Sequence, residues 1–121
     1  MRIIGIGNDL IEIERFEKYR DNRHFLEKCF TETEIEQAGG RMARLAADFS
    51  VKESVAKVFG TGIVGFSLTD IEVLRDEAGK PYVKLYNQAN VIARKLGIRK
   101  MHVSISDTAA LVMTMAVGEG G

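Results

Sequence analysis

Two acidic residues in apolar surroundings are the positions of this sequence best suited to chemistry. The first, Glu53, lies in a segment whose helical spacing places five residues on one face: Ala46, Phe49, Glu53, Lys57 and Gly60. This stripe runs into Gly60-Thr61-Gly62, a turn at which a backbone can approach a ligand closely. Burying a charge without a partner is costly, so Glu53 needs one. Lys57 alone also explains this acid, as an ordinary helical pair contributing roughly 0.2–0.5 kcal/mol.

The second acid, Asp9, follows an apolar segment that ends in Gly5-Ile6-Gly7. Glycines at such a point spare side-chain bulk where backbone and ligand come close. Asp9 also stands at the N-cap position of a helix predicted to start after it, and capping explains an Asp there about as well. A second acid of this kind favours a functional site over an isolated ion pair.

The composition describes one ordinary globular domain. The 121 residues are 45% hydrophobic and 28% charged, which argues against disorder. Seventeen basic and seventeen acidic residues cancel, so no global field indicates a nucleic-acid or membrane partner. Cys29 is the only cysteine, which excludes an internal disulfide and is typical of a reducing compartment. Functional residues begin almost at Met1 and no apolar run approaches membrane-spanning length, so we expect a soluble cytoplasmic protein.

The first half of the chain predicts one buried strand and four helices. The strand covers Arg2–Gly7, and the helices cover Glu12–Tyr19, a stretch around Phe25 and Leu26, Thr31–Gly39 and Arg41–Phe59. Thr31 and Glu34 form a capping-box signature at the start of the third helix. The apolar residues of the last helix lie around most of its circumference, which is typical of a helix enclosed by protein.

The second half predicts a hairpin, a helix and a final pair of strands. Their ranges are Ser67–Arg75, Tyr82–Tyr86, Asn87–Leu96, Met101–Ser106 and Ala109–Val117. Both faces of the final strand are nonpolar, so both require burial. In so small a domain a helix covers one face and another subunit the other. We therefore expect a single α+β domain over residues 1–121 that forms a homo-oligomer.

Four motifs, in this order along the chain, resemble those of the bacterial holo-acyl-carrier-protein synthases. They are Gly5–Leu10 with Glu12, Ile13 and Arg15; Phe49–Glu53 with Lys57 and Gly60–Gly62; Gly79–Pro81; and His102–Ser106. The resemblance covers essentially the whole chain. It implies a 4′-phosphopantetheinyl transferase fold, with a long central helix packed on an antiparallel-rich sheet. It also implies a homotrimer that holds coenzyme A between subunits.

The resemblance further implies transfer of the 4′-phosphopantetheine arm of coenzyme A to a serine of apo acyl carrier protein, in support of fatty acid biosynthesis. Adenosine 3′,5′-bisphosphate is the second product and Mg²⁺ is required. Asp9 and Glu53 are the implied metal ligands. Glu53, directly or through a metal-bound water, is the candidate base, and Lys57 stabilises the leaving oxygen of the pyrophosphate.

The resemblance also implies which residues contact coenzyme A and which contact the carrier protein. The implied coenzyme A contacts are Lys57, Gly60, Thr61, Gly62, Pro81 and His102. A plain helix end explains the glycines nearly as well, and a lone strand histidine is more often structural. The implied docking residues for the acidic carrier are Arg15, Arg23 and Phe25, although a solvated helix face also explains the arginines.

The chain departs from the family's pattern, most clearly at Asp48, and two alternative functions stay open. Asp48 stands where many family members have an Arg, and Arg44, one turn earlier, is the candidate substitute for that phosphate contact. A non-catalytic oligomeric module that binds a nucleotide or a carrier protein is the main alternative, and a magnesium enzyme acting on another nucleotide is the second. The sequence leaves open the preferred carrier, the acceptance of acylated coenzyme A and the subunit that supplies each pocket wall.

Overall fold

Two antiparallel sheets and one long helix form the frame of the molecule, in a computed structural model that describes residues 1–121. In chain order the elements are β1 (Arg2–Glu12), α1 (Glu14–Glu17), α2 (Arg23–Cys29), α3 (Glu32–Ala38), α4 (Met42–Phe59), a 3₁₀ turn (Leu68–Asp70), β2 (Ile71–Arg75), β3 (Pro81–Leu85), α5 (Asn87–Leu96), β4 (Ile98–Asp107) and β5 (Leu111–Gly120). Strands β1, β5 and β4 form one sheet in that spatial order, and β2 and β3 form a hairpin. The predicted α+β class is confirmed.

Helix α4 is enclosed by the rest of the chain, as its sequence predicts. Thirteen of its 18 residues are buried, and it ends at Gly60 in the left-handed conformation. One buried cluster lies between this helix, the sheet, the hairpin and α5, and a second lies between its first half and helices α1 to α3. Because α4 contacts both clusters, it fixes the position of every side chain on its circumference.

Glycines allow β1 to lie directly against α4. A Cβ atom on Gly7 would stand 2.1 Å from the carbonyl oxygen of Ser54, and one on Gly5 would stand 2.6 Å from that of Val58. The prediction that these glycines make room for a ligand is therefore wrong, since the backbone of the helix fills the space. The close approach brings the strand that carries Asp9 against the helix that carries Glu53.

The amino-terminal strand differs from its prediction in length and in exposure. β1 continues to Glu12, which pairs with Leu111, and the N–H of Ile13 still donates to the carbonyl of Ala110. This pairing with β5 leaves only one helical turn for α1, and it places Asp9 inside a strand rather than at a helix N-cap. The strand is not buried in the single chain, because Ile6 and Leu10 are 63% and 65% exposed.

The remaining elements follow the sequence closely. Helix α3 has the predicted capping box at Thr31, and α5 has its predicted bounds. The first predicted hairpin strand begins later, at Ile71, because Ser67 and Asp70 cap a 3₁₀ turn. On β5 the inward face packs on α4, while outward-facing Met113 remains exposed. No helix has both the length and the apolar character to cross a membrane.

Candidate functional site

Asp9 and Glu53 line one cleft of about 510 Å³. Asp9 reaches it from β1, on the face of the sheet that lies against α4. Glu53 reaches it from α4, one position after the buried Lys52. The two acids are 44 positions apart in sequence (53 − 9), and the packing of β1 on the helix brings them together.

Lys57 completes the predicted group of three charged residues. Its Nζ lies 3.8 Å from Oδ1 of Asp9, and the side chain is 50% exposed. The same Nζ donates a hydrogen bond of 2.7 Å to the backbone carbonyl of Asn8. The ammonium is therefore held beside Asp9, one helical turn beyond Glu53, and Lys57 borders a small separate depression with Gly7 and Asn8.

The charges of the cleft favour a bound cation. Burial raises the pKa of Glu53, and the negative charge of Asp9 raises it further, while Lys57 acts in the opposite direction. A divalent cation between the two carboxylates would relieve their repulsion. The structure contains no group of three or more His, Cys, Asp and Glu side chains placed to hold a metal. Two carboxylates suit Mg²⁺, because water and substrate phosphates commonly supply its other ligands.

A set of buried hydroxyls behind Asp9 is absent from the predictions. Ser50 of α4 lies 2.8 Å from Oδ2 of Asp9 and 2.8 Å from the hydroxyl of Thr114 on β5. Ser54, one helical turn further, lies 2.7 Å from the same Thr114 hydroxyl. The four-residue spacing of Ser50 and Ser54 indicates that both serines lie on one face of a helix. The spacing does not identify Thr114 as their shared partner.

Aromatic side chains form the floor of the cleft and basic side chains form its rim. The floor includes Tyr19 and Phe25, whose rings stack with centroids 3.7 Å apart. The rim carries the predicted docking residue Arg15 and two further cations outside the prediction, Lys18 and Lys28. The predicted docking residues Arg15 and Phe25 therefore lie at the same cleft as the two acids.

Arg23, the third predicted docking residue, lies elsewhere. Its Nε is 3.2 Å from a carboxylate oxygen of Glu27, and both side chains are exposed. The two residues border a separate groove beside Thr31 and Ile35. Arg23 is consequently on the surface of α2 but not on the rim of the cleft.

Pro81 and His102 line a second depression, of about 420 Å³. His102 lies in β4, and its Nε2 is 2.7 Å from Oε1 of Glu119. The hydrogen bond from His102 lowers the pKa of Glu119. Within one chain the structure does not bring Pro81 and His102 to the cleft that contains Asp9 and Glu53.

The Gly60-Thr61-Gly62 segment ends α4. Gly60 and Gly62 have φ values of +81° and +67°, and the N–H of Gly60 bonds to the carbonyls of Ala56 and Lys57. The hydroxyl of Thr61 donates to the carbonyl of Gly62 at 3.2 Å. The helix-end interpretation is thus confirmed, and contact with a phosphate stays a prediction.

The structure explains how Asp48 is accommodated at the position where many family members have an Arg. Asp48 is fully buried and forms an ion pair with Arg75 of β2, so this position presents no group to a ligand. Arg44 donates to the side chain of Gln37 at 3.2 Å and does not line the cleft. The structure therefore gives no support to Arg44 as a substitute phosphate contact.

Comparisons with known proteins identify the family and the fold. The model of the 4′-phosphopantetheinyl transferase superfamily matches residues 5–113. A holo-[acyl-carrier-protein] synthase of Lachnoclostridium phytofermentans is 44% identical over 117 residues, covering 97% of this chain and 96% of the relative. The crystal structure of the Neisseria meningitidis holo-[acyl-carrier-protein] synthase matches with a TM-score of 0.88 at 31% identity, covering 98% of this chain and 99% of that chain. A Bacillus anthracis holo-(acyl-carrier-protein) synthase in complex with CoA (3′,5′-ADP) matches with a TM-score of 0.82 at 34% identity, covering 98% of each chain.

Proposed function

This chain belongs to the 4′-phosphopantetheinyl transferase superfamily, and we propose that it acts as a holo-[acyl-carrier-protein] synthase. It transfers the 4′-phosphopantetheine arm of coenzyme A to a serine of apo acyl carrier protein. The observation that carries this proposal is the meeting of Asp9 and Glu53 at one cleft, with the Lys57 ammonium 3.8 Å from Asp9, in a chain whose relatives bear that name.

The reaction is a phosphoryl transfer in which positioning and charge neutralisation supply most of the catalysis. The serine oxygen attacks the phosphorus that carries the pantetheine arm and forms a new P–O bond. The P–O bond to adenosine 3′,5′-bisphosphate breaks, and its electron pair goes to the leaving phosphate oxygen. The serine proton goes to a base at the cleft.

Glu53 is suited to accept that proton. It lines the cleft together with Asp9, and the residue is half-buried there. We assign Lys57 to the leaving phosphate as a point charge, and the carbonyl of Asn8 holds its ammonium beside Asp9.

Asp9 and Glu53 are the residues that we propose to hold Mg²⁺. Burial raises the pKa of Glu53 and the charge of Asp9 raises it further, which fits a site for a cation. Bound Mg²⁺ would neutralise charge on the pyrophosphate oxygens. The requirement for Mg²⁺ is thus part of the proposal.

The basic rim and the aromatic floor support docking of the carrier protein at the same cleft. Acyl carrier proteins are acidic, so Arg15, Lys18 and Lys28 present the complementary charge. Phe25 offers an apolar contact beside the acids. Docking through Arg23 requires the carrier to extend over the outer surface of α2.

We further propose a homotrimer that builds each coenzyme A site from two chains. Pro81 and His102 lie in a depression apart from the cleft, so they serve a neighbour's site more readily than their own. The outward faces of β1 and β5 supply an apolar contact surface, which includes Ile6, Leu10 and Met113. The buried Cys29 agrees with the cytoplasmic location that we also propose.

Intact-mass analysis of apo acyl carrier protein tests the function directly. Incubation with this protein, coenzyme A and Mg²⁺ is expected to add the mass of one phosphopantetheine group. Glu53→Gln is expected to reduce the rate about 10²–10⁴-fold, while Glu36→Gln, at an exposed position of α3, retains it. A panel of apo carriers that all stay unmodified by the wild-type protein would contradict the proposed function.

A further inference from the structure

Building on the proposed function, we propose that Ser50 is a positioning residue that aims the Asp9 carboxylate into the cleft. The Ser50 hydroxyl donates to Oδ2 of Asp9 at 2.8 Å. Oδ1, the other oxygen, lies on the side of Lys57. One oxygen is thus fixed against the helix, and the other is available to a cation or to a ligand.

The direction of this hydrogen bond follows from the surrounding donors. Thr114 donates to the backbone carbonyl of Ser50 at 2.9 Å, which occupies its only hydroxyl proton. The Ser50 proton then has two acceptors within reach, the Thr114 oxygen and the Asp9 carboxylate. The ionised carboxylate is the stronger acceptor, so Ser50 donates to Asp9.

Burial makes this arrangement rigid. Ser50 is fully buried on α4, and Thr114 is buried on β5, so neither hydroxyl is free to exchange its partner for water. Asp9 belongs to a third element, β1. Ser50 therefore sets the carboxylate relative to the helix that carries Glu53, and loss of its hydroxyl frees the Asp9 side chain to rotate.

Residues that orient a metal ligand typically contribute 10–100-fold to metal affinity. We expect Ser50→Ala to weaken Mn²⁺ binding by about this factor. The measurement is a titration with Mn²⁺ followed by electron paramagnetic resonance, in the presence of coenzyme A and without carrier protein. In transfer assays the Mg²⁺ concentration for half-maximal rate rises correspondingly, while KM for coenzyme A at saturating Mg²⁺ changes little.

Ser54→Ala is the matched control. Ser54 is equally buried, lies one turn away on the same helix and contacts the same Thr114 hydroxyl, but it has no contact with Asp9. This variant loses a buried hydrogen bond and is expected to bind Mn²⁺ as the wild-type protein does. Ser50→Thr, which restores a hydroxyl, is expected to recover most of the affinity.

Each outcome of the titration separates the positioning role from the proposed function. Equal Mn²⁺ affinity of Ser50→Ala and wild type, or equal losses in Ser50→Ala and Ser54→Ala, would overturn the role of Ser50 and leave the transferase intact. Wild-type protein that transfers phosphopantetheine but binds Mn²⁺ independently of Asp9 would also overturn it. If Ser50→Ala does not fold, Ser50→Cys replaces it, because a thiol is a weak donor.

Discussion

Lys52 and Glu34 form an ion pair of 2.8 Å in which neither side chain has any solvent exposure. The Lys52 ammonium also donates to the backbone carbonyls of Cys29 and Leu68, and the other oxygen of Glu34 accepts from the N–H of Val73. Burial lowers the pKa of Lys52, and the charge of Glu34 opposes that effect. The pair therefore joins α4 to α3 and β2. Through the carbonyls of Cys29 and Leu68 it also joins α4 to the end of α2 and to the 3₁₀ turn.

Substitution of Lys52 should lower stability, whereas substitution of Lys57 should lower activity. Lys52→Met leaves Glu34 buried without a cation, which should lower the free energy of unfolding by about 3–5 kcal/mol. Lys57→Met alters a half-exposed side chain and should lower transfer with little loss of stability. Urea denaturation at fixed protein concentration, paired with transfer assays, distinguishes the two. Equal stability of both variants would contradict this division.

Of the two β1 glycines that lie against α4, Gly7 leaves less room for a side chain than Gly5 does. A Cβ atom on Gly7 would overlap the Ser54 carbonyl at 2.1 Å, so Gly7→Ala must separate the strand from α4 and move Asp9 with it. We expect a loss of stability of about 1–3 kcal/mol together with a large loss of transfer. The control is Asn8→Ala, at the neighbouring exposed position, measured by thermal unfolding and by intact mass. Wild-type transfer by Gly7→Ala would show that this contact does not position Asp9.

Asp48 should make stability depend on pH. Burial raises its pKa from 3.8 to about 6, although Arg75 opposes the shift. The folded state thus binds a proton more tightly than the unfolded state, so stability falls as pH rises through this window and the penalty is complete above it. Asp48→Asn mimics the protonated form and should gain up to about 3 kcal/mol relative to wild type between pH 4 and pH 7. Chemical denaturation across that range is the measurement.

The control for Asp48→Asn is Asp107→Asn, at an exposed carboxyl of β4, measured by the same chemical denaturation between pH 4 and pH 7. It should show no comparable change across the window. A stability difference between Asp48→Asn and wild type that is constant from pH 4 to pH 7 would mean that folding does not raise the pKa of Asp48.

Arg15 and Arg23 should differ in their effect on carrier docking. Arg15 borders the cleft, whereas Arg23 is paired with Glu27 at another groove. Arg15→Glu is expected to raise KM for the carrier protein at least tenfold at low salt, and less as salt screens the rim charges. Arg23→Glu is expected to have a smaller effect, and KM for coenzyme A serves as the internal reference for both. Equal changes in carrier KM would place the docking surface on α2 as well.

A charge on the outward face of β5 should disrupt the proposed trimer. Met113 is 51% exposed in the single chain and lies beside Leu10 of β1. Met113→Glu should convert trimers to monomers in light scattering and abolish transfer, because Pro81 and His102 would then have no neighbouring cleft to complete. Lys84→Glu, on the exposed face of the hairpin, is the control. A monomeric wild-type protein with full activity would contradict the assembly.

The sequence by itself determined the features that depend on neighbouring residues. The ends of α3, α4 and α5 follow from a capping box and from left-handed glycines, which act within one turn of the chain. The motifs around Asp9 and Glu53 likewise identified the acids that meet at the cleft. These signals are local, so they are readable before the chain folds.

Only the tertiary structure decided which faces of distant elements meet. It showed that Gly7 admits the backbone of α4 rather than a ligand, and that Ser50 holds Asp9. It separated buried Lys52 from half-exposed Lys57, although both lie on one helix. It also placed Arg23 away from the cleft that Arg15 borders. The contacts of Gly7, Ser50, Lys52 and Lys57 join residues far apart in sequence, and their physical cause is the packing of β1, β5 and α3 around α4.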